Sequence, residues 1–192
     1  MAPHVAVRLH LALPRARWEH QHHPALPWAS VPDAYRALPE GPAGDCLRFQ
    51  ILTVTRPAEA QGARWDEVVG DLWTIPAERM KGRRAHPVPL SPAAVDVLER
   101  QPRLVGEARI FPRNASTLQR TLRAAVPATT RHGFRSSFRD WTTDTERDEL
   151  AAELCLAHLV GTAVERAYRR GQALERRRRL LEQWALFVTG EN

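Results

Sequence analysis

The chain has 192 residues, of which 43% are hydrophobic, with a formal net charge of +6 and a sequence pI near 10.5. This length can bury one hydrophobic core, so one domain is expected, and the charge favours a polyanionic partner without separating DNA from RNA or an anionic membrane surface. Its two cysteines, Cys46 and Cys155, make no disulfide framework, and no run is apolar enough for a signal peptide or a membrane span, so a reducing, cytoplasmic location is expected.

The first 27 residues are rich in proline, histidine and arginine and lack a sustained helical or strand period. They are predicted to be an irregular arm, with the folded domain over residues 28–192. His20, His22 and His23 raise the question of a metal site, but no cysteine or carboxylate cluster accompanies them. Linker histidines are the favoured interpretation, and no metal is expected.

From Ser30 onward, N-capping residues, early prolines and apolar residues at helical spacing predict a series of helices. Two short runs rich in strand-forming residues, joined by a basic turn over residues 80–84, predict an antiparallel hairpin. The fold class is therefore mainly α with a small antiparallel β-sheet (α+β). The predicted helices cover residues 31–38, 45–54, 91–100, 116–125, 134–141, 149–157 and 174–188, and the strands cover residues 72–76 and 85–90.

The stretch over residues 130–141 has the features of a phosphate site. His132 and Arg135 are three residues apart, so they share one face at the start of the predicted helix. The free N–H groups at a helix N-terminus favour an anion, and a guanidinium can hold two phosphate oxygens at once. A His-x-x-Arg pair alone has little weight in a chain this rich in arginine.

Tyr168 adds a candidate nucleophile to that predicted phosphate site. It is one of two tyrosines and lies among Arg166, Arg169 and Arg170, a setting that no buried aromatic ring requires. A phenol with a pKa of about 10 is a poor nucleophile at neutral pH unless nearby positive charge favours the phenolate. The segment therefore predicts a tyrosine nucleophile beside a bound phosphate.

Residues 130–141, 157–161 and 165–170 together resemble the catalytic domain of tyrosine recombinases of the phage integrase family, in the subtype that integrates prophages and genomic islands. The resemblance extends from about His22 to the C-terminus and implies the tyrosine recombinase catalytic-domain fold. It also implies a site in which two arginines, a lysine and two histidines surround the scissile phosphate while a tyrosine attacks it. The matching positions are Arg56, Lys81, His132, Arg135, His158 and Tyr168.

The resemblance also implies a role for each of these residues. The tyrosine attacks to give a 3′-phosphotyrosyl link, the arginines hold the phosphate oxygens, the histidines form hydrogen bonds and handle protons, and the lysine is the general acid. The covalent link preserves the phosphodiester energy, so no cofactor is expected. The implied partners are double-stranded DNA and other recombinase protomers, the latter through the C-terminal helix, which could instead fold back on its own domain.

Several positions have simpler interpretations. Arg56 could be a surface arginine at the end of a helix, and His158 a buried core histidine. Lys81 could be a mobile contact to the DNA backbone, although it is the single lysine beside 27 arginines. Ala58 stands where the family usually has glycine.

Two functional hypotheses follow from the resemblance. In the family, a core-binding domain and usually an arm-binding domain precede the catalytic domain, and neither fits into 27 residues. The chain is thus expected to lack both domains. One hypothesis is a site-specific recombinase that cleaves and rejoins DNA; the other is a non-catalytic remnant that binds DNA or another integrase. A type IB topoisomerase shares the chemistry, but the residues around His132 and Tyr168 resemble integrases more.

Overall fold

The computed structural model describes residues 25–161 and 170–191. Most of the predicted N-terminal arm, including His20, His22 and His23, lies outside these residues, as does Tyr168. Within the described ranges, no helix is both long and apolar enough to cross a lipid bilayer.

Helix α2 (Pro42–Thr53) forms the centre of the hydrophobic core. Its side chains are buried on most faces, including Leu47, Phe49 and Ile51, because other helices pack around it. The helix begins three residues before the predicted start at residue 45. Pro42 occupies its first turn, where the missing N–H of proline costs no hydrogen bond.

The surrounding helices begin at local signals in the sequence. Ser91, Asn114 and Asp148 each use a side-chain oxygen to accept a hydrogen bond from a backbone N–H in the first turn of the helix that follows. The described helices around α2 are α1 (Val31–Ala37), α3 (Pro57–Gln61), α4 (Pro92–Glu99), α5 (Ala115–Ala125), α6 (Gly133–Asp144), α7 (Glu149–Cys155) and α8 (Arg170–Thr189).

A three-stranded antiparallel sheet lies beside the helices, with strand order β1-β2-β3. Ile75 pairs with His86 across the two longer strands. The sequence-based fold class, mainly α with a small antiparallel sheet, is confirmed. The prediction missed α3 and β1, which at five and two residues are too short to show a period. The strands are β1 (Val68–Val69), β2 (Leu72–Ile75) and β3 (His86–Pro89).

The C-terminal helix α8 packs on its own domain. Leu181, Trp184 and Val188 are fully buried, and the indole N–H of Trp184 donates a 2.8 Å hydrogen bond to the carbonyl of Ile51. The ring of Trp184 also lies 5.1 Å from that of Trp141. The helix thus closes the core over α2. Docking of α8 on a second protomer stays a prediction.

His86 is a buried histidine on the inward face of β3, only 8% exposed. Its ring is hydrogen-bonded to the backbone of Cys155, the last residue of α7. Burial, assisted by the positive charge of Arg177, and of Arg135 and Arg56, lowers its pKa to about 3, against the effect of that hydrogen bond. His86 is therefore neutral in the folded protein at any ordinary pH.

The state of His86 predicts an acid-sensitive fold. The unfolded histidine takes up a proton near pH 6.5, whereas the folded one does so only near pH 3. Since the unfolded state binds more protons between these values, the stability is fully present above pH 6.5. It falls by up to about 1.4 kcal/mol per pH unit as the pH drops through the window.

Urea unfolding of wild type and of His86→Gln at a series of pH values measures this contribution. The glutamine amide keeps a hydrogen-bond donor but does not titrate, so its free energy of unfolding should fall less steeply with acidification. His158→Gln is the matched control, because His158 is half exposed. Parallel pH profiles for wild type and His86→Gln would contradict the prediction.

Ala157, which follows the C-cap of α7, has a left-handed backbone with φ of 55°. An alanine pays a steric cost there that glycine avoids. Ala157→Gly is therefore expected to raise the free energy of unfolding by about 0.5 to 1 kcal/mol. In the interior of the same helix, Ala152→Gly should lower it by about 1 kcal/mol or more. Chemical denaturation of both variants tests the contrast, and an Ala157→Gly that is less stable than wild type would refute it.

Candidate active site

Arg135 occupies the centre of the site. It lies in the first turn of α6 and is buried, with 5% of its surface exposed. One terminal nitrogen, Nη1, donates to the carbonyl of Val54 at 2.5 Å, and the other, Nη2, donates to the carbonyl of Leu156 at 2.7 Å. These residues are the C-caps of α2 and α7. One guanidinium thus ties together the ends of two helices that are distant in the sequence.

Each tied helix end leads into a predicted site residue. Val54 itself has a left-handed backbone, with φ of 49°, and Ala157 next to Leu156 has φ of 55°. The chain therefore turns sharply at both places, and Arg56 and His158 follow two residues after the carbonyls that Arg135 holds. Left-handed geometry is unfavourable for a β-branched residue such as Val54, so the surrounding contacts must enforce the turn.

Arg56 is the N-cap residue of α3, and Glu59 fixes its position. One carboxylate oxygen of Glu59 accepts a 2.8 Å hydrogen bond from the Arg56 backbone N–H. The other accepts a 2.9 Å hydrogen bond from the guanidinium. Glu59 is buried, whereas a quarter of the Arg56 side chain is exposed. Arg56 is therefore a held but accessible cation rather than a free surface arginine.

Glu59 has no role among the residues predicted from the sequence. A readable signal was present, because a glutamate three residues after an N-cap is the spacing of a capping box. Ala58 stands where the family usually has glycine, and the pairing shows that the backbone at Arg56 is nevertheless held in place, by Glu59.

The two arginines lie close enough to affect each other. Burial, and then the charge of Arg56, lower the pKa of Arg135 to about 10, while Glu59 and Cys155 act in the opposite direction. Arg135 remains charged at neutral pH. Among the described residues, Glu59 is the carboxylate that acts on both guanidinium groups, so this part of the site retains positive charge that an anion would neutralise.

His158 lies beside these arginines and is exposed, with 47% of its side-chain surface accessible. Its Nδ1 is 2.7 Å from a carboxylate oxygen of Glu153. Partial burial and then the charges of Arg135, Arg56 and Arg139 lower the pKa of His158. The ring is consequently neutral near pH 7, and the alternative of a buried core histidine does not apply.

His132 is the N-cap residue of α6, one turn before Arg135. Its ring does not cap the helix, and it is half-buried. The hydroxyl of Thr130 accepts from the Gly133 N–H instead. His132 therefore stands at the helix end where the sequence predicted it.

Lys81 lies at the tip of the loop between β2 and β3, together with Arg83 and Arg84, and all three are exposed. With none of the described residues does its side chain form a hydrogen bond or an ion pair. The structure thus groups Arg56, Arg135 and His158, with His132 at the same helix start, and leaves Lys81 on a separate basic tip. Tyr168 and its arginine neighbours Arg166 and Arg169 lie outside the described residues.

His86, also without a predicted role, borders the site from the core side. The charges of Arg135 and Arg56 both lower its pKa. The period-2 pattern of β3 places it on the same face as Val88. That pattern was a readable sign that this histidine is buried.

Comparison with known proteins identifies relatives over most of the chain. No protein-family model matches it. The prophage integrase IntA of Escherichia coli K12 is 39% identical over 157 residues, which cover 74% of this chain and 38% of the relative. The prophage integrase IntZ of the same organism is 31% identical over a region that covers 85% of this chain and 44% of the relative. The integrase of Enterobacteria phage P4 is 30% identical and covers 88% and 46%.

The chain spans less than half the length of these relatives. The matched residues cover most of this chain, and the fold that they form is the one that the resemblance implied. This chain therefore contains a domain of the phage integrase family.

Proposed function

We propose that this domain is the catalytic part of a tyrosine recombinase that cleaves and rejoins double-stranded DNA. The observation that carries the proposal is the convergence of Arg56, Arg135 and His158 on one site with excess positive charge. A phosphodiester carries one negative charge on its non-bridging oxygens. That charge increases on five-coordinate phosphorus, and preorganised guanidinium groups stabilise it.

Each step can be assigned to a residue. The Tyr168 oxygen forms a bond to phosphorus as its phenolic proton passes to one of the two site histidines, His132 or His158, and the bond between phosphorus and the 5′-oxygen breaks. Arg56 and Arg135 hold the non-bridging oxygens throughout, and His132 donates a hydrogen bond beside them. Lys81, brought by its loop, gives a proton to the departing 5′-oxygen. Attack by a 5′-hydroxyl on the phosphotyrosine reverses every step and rejoins a strand.

The geometry also supports different roles for the fixed arginines and for the exposed Lys81. Arg135 is fixed by helix ends and Arg56 by Glu59, so the oxygen clamps are preorganised before DNA arrives. Lys81 stands on an exposed turn that can follow the bound DNA. The remaining basic residues near the tip, Arg83 and Arg84, suit contacts to neighbouring phosphates. We place this activity in the cytoplasm and expect further protomers to act with it on DNA.

Tyr168→Phe tests the nucleophile. With a nicked suicide duplex, which traps the covalent step, the wild type should form a DNA adduct that survives denaturation. The variant should form none while it binds the duplex with unchanged affinity, because phenylalanine lacks only the attacking oxygen.

Tyr35→Phe is the matched control and should react like wild type. Tyr35 has a pKa raised by burial, and the Arg48 guanidinium lies 5.6 Å from its ring centre, so its role is structural. An adduct that persists in Tyr168→Phe, or that maps to Tyr35, would refute the assignment. A wild type that binds DNA but forms no adduct would point to the non-catalytic remnant.

Lys81→Arg tests the general acid. Arginine keeps the charge, but its pKa of about 12.5 or higher makes it a far poorer proton donor than lysine at about 10.4. Cleavage of normal DNA should slow by about 100-fold or more. When sulfur replaces the bridging 5′-oxygen, the thiolate leaves without a proton, so the variant should approach the wild-type rate.

Arg84→Ala, at the same exposed tip, separates charge from acid catalysis. It should weaken DNA binding and slow both substrates by the same factor. If Lys81→Arg also slows both substrates equally, Lys81 is a backbone contact and not the acid.

A further inference from the structure

Arg79 lies immediately before the basic turn that carries Lys81. It is the last residue of a short 3₁₀ helix (Ala77–Arg79), and 22% of its side chain is exposed. Its Nη1 donates to both carboxylate oxygens of Glu67 at 2.5 Å, and its Nη2 donates to the backbone carbonyl of Glu59 at 2.6 Å. Both terminal nitrogens of Arg79 thus serve contacts within the domain.

The two acceptors of Arg79 are themselves held. The carboxylate of Glu67, whose side chain is 7% exposed, also accepts a 2.9 Å hydrogen bond from the indole N–H of Trp73, a buried residue of β2. Glu59 is the residue that fixes Arg56. An arginine that donates two hydrogen bonds to one carboxylate is restricted in direction as well as in distance. Arg79 therefore joins the start of the basic turn to the segment that holds the phosphate clamp.

Gly62, which follows α3, leaves space for this contact. A side-chain carbon at Gly62 would lie 2.9 Å from Nη2 of Arg79 and 3.1 Å from the carbonyl oxygen of Ala58. The backbone at Gly62 has φ of −92°, which residues with a side chain also adopt. The lack of a side chain at Gly62 is what lets Arg79 reach Glu59.

The anchored arginine limits where Lys81 can lie. Lys81 is two residues after Arg79, so their Cα atoms are at most about 7 Å apart. Met80 between them is buried, and its carbonyl accepts a 3.0 Å hydrogen bond from the Arg83 N–H, which closes the turn. The base of the turn is thus fixed, while Lys81 beyond it is exposed. Such a base suits a general acid, which must come within hydrogen-bond reach of the atom it protonates.

We infer that Arg79 is a positioning residue that sets the distance between the general acid, Lys81, and the phosphate clamp at Arg56. This inference rests on the proposed function and adds no chemical step to it. The proton passes from the Lys81 ammonium to the departing 5′-oxygen, and the neutral amine takes a proton back from the 5′-hydroxyl when the strand is rejoined. Arg79 keeps its own protons and acts through the backbone that leads to Lys81.

The first test is independent of catalysis and uses the fact that Lys81 is the single lysine of the chain. Protein labelled with nitrogen-15 lysine gives one backbone amide signal, whose relaxation reports the motion of Lys81. The wild type should have an order parameter of about 0.85, and that of Arg79→Gln should fall below about 0.6. Glu67→Gln should also increase the motion. Arg64→Gln, which removes an exposed arginine from its ion pair with Asp66, should match wild type.

The second test compares adduct formation on normal DNA and on DNA with sulfur in place of the bridging 5′-oxygen. Arg79→Lys keeps the charge, but an ammonium lacks the planar fork that spans both acceptors. Cleavage of normal DNA should slow by about 100-fold, whereas the sulfur substrate, which needs no acid, should react at close to the wild-type rate. Combined with Lys81→Arg, the change should slow normal cleavage no further, because the acid is already lost. Arg64→Gln should match wild type on both substrates.

Melting curves show whether the variants fold. If Arg79→Lys does not fold, Gly62→Ala gives the same comparison, because it keeps every charge and displaces the end of the Arg79 side chain. Its rate on normal DNA should fall more than its rate on the sulfur substrate.

The outcomes separate the inference from the proposed function. If Arg79→Lys slows both substrates by the same factor, the inference is overturned and the recombinase proposal stands. An order parameter of Lys81 that is the same in Arg79→Gln and wild type has the same meaning. A wild type that forms no adduct overturns the proposed function, and with it the catalytic use of the anchored turn.

Discussion

The hydrogen bonds of Arg135 to two helix ends are the interaction on which the site depends. The carbonyls of Val54 and Leu156 would otherwise be unpaired, because the last carbonyls of a helix have no partner within it. A buried guanidinium needs such acceptors, since an unpaired buried charge costs far more than a neutral group. The requirements of the arginine and of the helix ends are met together. Arg56 and His158 take their positions from this arrangement.

The electrostatics of the site follow from the same geometry. Arg56 and Arg135 repel each other, and Glu59 compensates only part of their combined charge. His86, directly behind them, is kept neutral and so adds no further repulsion from the core side. The site thus holds a positive potential, which the fold tolerates through hydrogen bonds rather than through matched counter-charges. An anion that enters meets donors already in place, which lowers the reorganisation needed for binding.

The elements with strong local signals were predictable from the sequence. Ser91 before a proline marks the start of α4, and the spacing of Leu181, Trp184 and Val188 gives the face of α8 that is buried. Helix α3 and strand β1 escaped prediction because a few residues carry no measurable period. The boundaries that moved did so by a few residues, at caps and prolines.

The site was predictable to the extent that it is local. His132 and Arg135 share one helical turn, so spacing alone places them together. Glu153 lies five residues before His158, a separation that does not bring side chains together on a regular helix. The contact arises because the chain reverses at Ala157, which has a left-handed backbone. An alanine gives no sequence signal for such a turn. The neutral state of His86 likewise depends on its burial and on the charge of Arg177 from α8, which is far away in the sequence.

The double use of Arg135 has a consequence for how such domains change over generations. A guanidinium has five N–H groups, and two of those on Arg135 hold the helix ends. A copy of the domain that had stopped cutting DNA would still lose stability if this arginine were replaced, so selection for folding alone would retain it. Lys81 and His158 are exposed and make little contribution to the core, so drift would remove them first. Under the proposed function, their survival would be the sign of selection for the chemistry, whereas Arg135 would survive under selection for folding alone.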